Sequence, residues 1–262
     1  MPRFKFNLSV VTALTLMVAP ATSYADTVYQ AVPDQAQIEQ QTIEAAESAL
    51  GETESLATAI SFAFDYLTTF VSEAHPPDFL IHAEMKATTE RLDGVRSILL
   101  INTDGSLMHD AFSYPAPNIN LGERDYVQNA LNQSGLVFGK AVIGQTSGVP
   151  FVPVSSQKPA MSAVLTAIVD PRKMREPLNW CGGSCGGALL TNRGEVITSS
   201  PPNAPIAPEV IETILAAEQN TGTFEYERPN FKALVAFRKS ERFPVIVYTS
   251  HAVTPDGVLA TQ

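Results

Sequence analysis

The chain has 262 residues, of which 45% are hydrophobic, and a formal net charge of −10 at pH 7. That length and apolar content suffice for one large domain or two small ones with proper cores. The acidic balance argues against nucleic acid or anionic lipid as a partner, because the chain has no basic surplus to neutralise phosphate.

The first residues read as an export signal. Arg3 and Lys5 form a basic start with no acid nearby, and residues 8–19 are apolar apart from Ser9, Thr12 and Thr15. Such a run is shorter than the ~20 apolar residues a bilayer span needs. Pro20 breaks it, and Ser23-Tyr24-Ala25 places small residues where signal peptidase reads them, so residues 1–25 are expected to be removed after Ala25. An uncleaved N-terminal anchor is the alternative. Loss of Arg3 and Lys5 takes the formal charge to −12, and the mature protein is expected in the periplasm.

Residues 26–75 are assigned to a long helical segment, strongest over 34–72. Leu56, Ile60, Ala63, Leu67 and Phe70 recur at steps of four and three, one apolar stripe on a helix. The stripe suits packing on the protein's own sheet or pairing with a second copy. Gly51 costs such a helix about 1 kcal/mol and marks the place for a bend. His75-Pro76-Pro77 ends it, and a shorter helix is expected over 78–92.

The texture then changes to strands. Residues 97–101 are apolar, Asn102-Thr103-Asp104-Gly105 is a hairpin turn, and 107–110 return alongside. A proline-rich loop over 114–121 leads to a short helix near Glu123. Strands follow at 136–143, 150–156 and 163–169. Residues 76–170 thus make an α+β unit with an antiparallel sheet of about five strands. Residues 171–180, with Pro171, Pro177 and several charges, read as a linker. A second, smaller unit occupies 181–262. It has a hairpin around Asn192-Arg193-Gly194, a proline-rich loop over 201–208, a helix over 209–218, and strands at 223–227, 231–238 and 245–250. The order hairpin, loop, helix, three strands therefore occurs twice.

Cys181 and Cys185 lie in Trp-Cys-Gly-Gly-Ser-Cys-Gly-Gly. In an oxidising compartment two thiols this close are expected to form a structural disulfide, with a redox-active pair as the sharper reading. The spacing is not the Cys-x-x-Cys of thioredoxin-like enzymes. A metal site would need two more ligands, and none of the four histidines lies near the pair in sequence, so no metal and no cofactor are expected. Gly183-Ser184-Cys185-Gly186 misses the Gly-x-Ser-x-Gly elbow of serine hydrolases. No Gly-rich phosphate loop precedes a helix. The protein is therefore expected not to be an enzyme, with disulfide exchange through Cys181 and Cys185 as the enzymatic alternative.

Two such units behind a long helix resemble the double Cache sensor module, also called tandem PAS-like or PDC. The resemblance is carried by Leu100-Ile101-Asn102-Thr103-Asp104-Gly105, by Leu121-Gly122-Glu123-Arg124-Asp125-Tyr126-Val127, by Thr146-Ser147-Gly148-Val149-Pro150 and by Ala167-Ile168-Val169-Asp170-Pro171. It implies a ligand pocket in the first unit, between the sheet and the loop and helix that cover it. Arg124 matches the motif arginine, Tyr126 the aromatic two residues on, and Asp170 the acid that ends the strand. A guanidinium fork suits a carboxylate, a phenol offers an apolar face with a polar tip, and an aspartate receives an ammonium. The resemblance thus implies an amino acid, carboxylate or similar small metabolite as ligand. Amino-acid-binding members commonly carry a second aromatic where this chain has Val127, and residues 150–156 hold no acid. Phe138 and Lys140 share one strand face by alternation. Such modules normally run into a membrane helix and an output domain, and residues 254–262 are no such helix. The expectation is a free-standing sensor reporting to a membrane-bound histidine kinase, chemoreceptor or cyclase, with the N-terminal helix available for homodimer formation. A ligand-free docking protein of the same fold is the alternative.

Overall fold

The computed structural model describes residues 34–253 apart from residue 230. The expected signal segment and cleavage site lie outside the described residues. Helix α1 (Gln35–Ala74) opens on the Asp34 side chain, which accepts a hydrogen bond from the Gln37 N–H at 2.7 Å. It closes at His75, which adopts a left-handed conformation at φ 44°. At 40 residues it is about 60 Å long. The helix continues through exposed Gly51 without a break. Ala46, Ala49, Thr53 and Ala57 on either side are buried, and their packing outweighs the propensity cost of one glycine. Helix α2 (Asp78–Thr89) follows.

The first sheet contains β1 (Val95–Asn102), β2 (Leu107–Asp110), β3 (Val137–Phe138), β4 (Val142–Ile143), β5 (Pro150–Lys158) and β6 (Ala163–Val169), with α3 (Asp125–Asn132) between β2 and β3. The strands run antiparallel in the order β2-β1-β6-β5-β3, and β4 pairs with β5. The single strand expected over 136–143 is thus two short ones. Val137 and Phe138 face Ser155 and Val154, whereas Val142 faces Phe151, so the β3–β4 side carries one residue more than β5. Pro153 sits at the interruption and has no N–H to donate to the ladder; its carbonyl accepts from the Gly139 N–H at 2.9 Å.

Both faces of this sheet are covered, which is why β1 reads as an unbroken apolar run rather than an alternating one. Ile98 and Leu100 pack with Ile60, Phe64 and Leu67 of α1. Leu99 and Ile101 join Tyr126, Val127 and Ala130 of α3 on the opposite face.

Within residues 171–180, read as a linker, residues 171–178 are helical. Asp170 caps α4 (Pro171–Arg175) by accepting from the Arg172 N–H at 2.9 Å, and a 3-10 turn (Glu176–Leu178) continues it. A cap followed by proline at the first helical position is a helix start, and buried Met174 and Leu178 hold the segment to the core. The second sheet contains β7 (Cys185–Thr191), β8 (Val196–Ser200), β9 (Thr221–Arg228), β10 (Phe231–Lys239) and β11 (Val245–Ala252), in the order β8-β7-β11-β10-β9, with α5 (Pro208–Ala216) on one face. The path repeats that of the first sheet. Leu189, Val245 and Val247 point to the other face and share one core cluster with Phe64, Ile98 and Leu165. Helix α1 therefore backs both sheets. Arg238 of β10 is tied to it through Glu47 at 2.9 Å. Among the described residues no helix is long and apolar enough to cross a membrane.

Candidate functional site

The α3 face of the first sheet holds a cavity of about 270 Å³. Its floor is strand: Leu99 from β1, Phe151 from β5 and Ile168 from β6. Its roof is the chain from Phe112 to Tyr126 together with the turn over 144–149. Strand alternation turns Leu99 and Phe151 upward, and the first turn of α3 lays Tyr126 over them. The Tyr126 ring meets Phe151 edge to face, with centroids 6.1 Å apart at 72°. Burial pushes the Tyr126 phenol up to about 12, a rise that the Arg124 charge partly offsets.

One acid stands in this apolar setting. Asp110, 9% exposed, ends β2 and lines the cavity. Its Oδ1 accepts from the Ser97 hydroxyl at 2.7 Å and from the Phe112 N–H at 2.9 Å, which locks the carboxylate in place. Its backbone carbonyl meets His82 Nδ1 at 3.0 Å. Both side-chain hydrogen bonds fall on Oδ1, which leaves Oδ2 as the acceptor for a donor from the cavity. Arg96, at the rim, donates to the Pro150 carbonyl.

The three residues expected to bind ligand are placed differently from one another. Tyr126 walls the cavity. Arg124 is the N-cap of α3, half-buried, and faces a second cleft of about 680 Å³ on the other side of that helix turn. Tyr126 lines that cleft too, so these two residues share a wall. Asp170 lines neither space. It caps α4 and pairs with Arg172 at 2.8 Å, and hydrogen bonding to Arg172 holds its carboxyl below the usual range. Phe138 and Lys140 line the Arg124 cleft, where Lys140 meets Glu195 of the second unit at 3.0 Å. Val127 is fully buried against the sheet.

Sequence reasoning missed Asp110, Ser97 and Phe151. The return strand of the hairpin was legible, but nothing in it distinguished a carboxylate facing a cavity from one facing solvent. Thr146 and Ser147 of the Thr146-Ser147-Gly148 turn line the cavity. At Cys181 and Cys185 the structure forms a disulfide, with Cα atoms 5.5 Å apart.

No family model matches the chain, and no curated protein matches it. Solved structures do. The extracellular domain of rpHK1S-Z16, designated a histidine kinase, superposes with a TM-score of 0.66 at 17% identity, covering 87% of this chain and 97% of that one. The ligand-binding domain of the Pseudomonas fluorescens chemoreceptor CtaA, solved with L-isoleucine, has a TM-score of 0.62 at 13% identity, over 84% of this chain and 93% of that one. The sensory domain of the Campylobacter jejuni chemoreceptor Tlp3 has a TM-score of 0.60 at 11% identity, over 84% and 94%. The long helix backing two antiparallel sheets of one repeated strand order is the fold of these extracellular sensor domains, the double Cache fold.

Proposed function

We propose that the protein is a periplasmic sensor that binds a small apolar molecule bearing an ammonium group, such as an aliphatic amino acid or amine, in the first unit. It reports that occupancy to a membrane-bound kinase, chemoreceptor or cyclase, and carries out no catalysis. The observation that carries the reading is the apolar cavity over the first sheet with the fixed Asp110 carboxylate in its wall. An ammonium group leaving water needs a paired anion, and Asp110 is held ready to supply one at no further conformational cost. Apolar surface on Leu99, Phe151 and Tyr126 favours a hydrocarbon side chain over a polar one. The CtaA domain solved with L-isoleucine and a Tlp3 domain solved with L-valine share this fold, and their ligands fit the same description. In this reading Tyr126 is a wall of the site, Arg124 supports it from the adjoining cleft, and Asp170 stays engaged with Arg172.

The test is a thermal-shift screen of the purified protein against amino acids, amines, organic acids and purines. A ligand at 100 times its dissociation constant adds ~2.7 kcal/mol, or roughly 5–10 °C for a chain of this size. The expected hit is an amine or amino acid, lost in Asp110→Asn and in Tyr126→Ala. A carboxylate hit indifferent to Asp110→Asn but lost in Arg124→Ala would move the site to the adjoining cleft. No hit at all would favour a ligand-free docking protein.

A further inference from the structure

The second unit brings a distant histidine, His251, up to the cysteine pair Cys181 and Cys185, so that three soft or borderline metal donors meet. Strand β7 begins at Cys185 and pairs antiparallel with β11, in a register that sets His251 directly opposite Cys185. Opposed residues on such strands have Cβ atoms about 4.5–5.5 Å apart. The disulfide adds Cys181, so two sulfurs and an imidazole nitrogen all lie within 4.8 Å of one another.

The histidine ring is held by the backbone beside it. His251 Nδ1 lies 3.0 Å from the Ala252 carbonyl, which can only accept, so the tautomer with its hydrogen on Nδ1 makes this bond and keeps the Nε2 lone pair for a metal. Metal-ligating histidines are commonly fixed by such a hydrogen bond to a backbone carbonyl. The Trp180 ring packs against the imidazole at 5.9 Å. The Ala252 N–H donates to the Ser184 carbonyl at 2.8 Å, pinning the end of β11 to the cysteine loop.

We propose that Cys181, Cys185 and His251 form a redox-gated Cu(I) site. In the disulfide the sulfurs hold no thiolate and the site is closed. A dithiol donor opens it by exchange: its two S–H groups become a disulfide, and the Cys181–Cys185 bond takes up both electrons and both protons. Cu(I) then binds the two thiolates and the imidazole, releasing the two thiol protons to solvent. Two thiolates and one nitrogen complete the trigonal shell that Cu(I) accepts, whereas Zn(II) would need a fourth ligand and Ca(II) or Mg(II) would need oxygen. Three donors at ~2.0–2.3 Å from a central ion stand about 4 Å apart, so the sulfurs must separate from bonding distance. The loop allows this: Gly182 and Gly183 have no atoms crowding the space where a side chain would be, and Cys181 is exposed to the donor.

The test uses the full chain under anaerobic conditions, reduced with dithiothreitol and desalted. It is titrated against the coloured Cu(I) complex of bicinchoninate. The reduced protein is expected to withdraw one equivalent of Cu(I), and the oxidised protein none. Cys185→Ser should abolish uptake, and His251→Gln, which leaves the disulfide intact, should weaken it at least tenfold. Circular dichroism reports whether the reduced chain stays folded. Failure of the folded, reduced protein to compete would overturn the proposal. So would unfolding on reduction, or uptake by His251→Gln as tight as that of the parent.

Discussion

Tyr126 offers a test of whether the cavity under α3 is dry. Tyr126 is 4% exposed, and burial pushes its phenol from 10 up to about 12. Below pH 10 it is neutral in both the folded and the unfolded chain, so it contributes nothing pH-dependent. Between pH 10 and pH 12 the unfolded chain ionises while the folded chain does not, and stability falls by ~1.4 kcal/mol per pH unit, about 2–3 kcal/mol in all. Tyr126→Phe removes this liability. Tyr248 is also pushed up by burial, so both proteins lose stability in alkali, and the difference between them isolates Tyr126. Urea midpoints measured from pH 8 to pH 11 should show equal slopes with denaturant. The variant's advantage over the parent should grow by about 1 kcal/mol between pH 9 and pH 11. A difference that stays constant with pH would mean that water reaches the phenolate and that the cavity is not the apolar chamber described above.

Other substitutions probe the scaffold. Phe64 is fully buried where α1 backs the sheets, and Lys158 Nζ lies 6.0 Å from its ring centre. Phe64→Ala should cost ~3–5 kcal/mol and lower one common calorimetric transition by roughly 6–20 °C. Two transitions, only one of them shifted, would show that the sheets do not share a core. Gly51 lies in mid-helix with open space around it, so Gly51→Ala should stabilise by up to about 1 kcal/mol in denaturant melts. Gly105 is the opposite case: φ is +88° and a side chain there would collide with the Gly122 backbone. Gly105→Ala should lose ~2 kcal/mol or more by the same measurement.

Much of the architecture was local and therefore legible. The 3.6-residue stripe of α1, the Asp104-Gly105 hairpin and the apolar runs of β1, β5 and β6 each follow from backbone geometry and from which faces need cover. The repeated order of elements followed from reading them in sequence. The break between β3 and β4 was not legible, because it depends on Pro153 of the facing strand withholding a donor. Nor was the helical character of residues 171–178, although Asp170-Pro171 is a helix start in local terms. The prolines and charges there masked the burial of Met174 and Leu178, which only packing reveals.

The sites divide the same way. Local sequence determined that Cys181 and Cys185 could meet, since a glycine-rich loop closes over a short span, and that Arg124 and Tyr126 would begin a helix together. Only the tertiary structure decided which side of that helix each faces, and that Asp110, a residue with no sequence mark, stands in the cavity wall. The register of β7 against β11 likewise carried His251 to the cysteines. Strand registers and helix faces are set by the burial of many apolar side chains at once. A polar residue that contributes nothing to that burial is placed by its neighbours, so its position follows from the whole fold and not from the residues beside it in the chain.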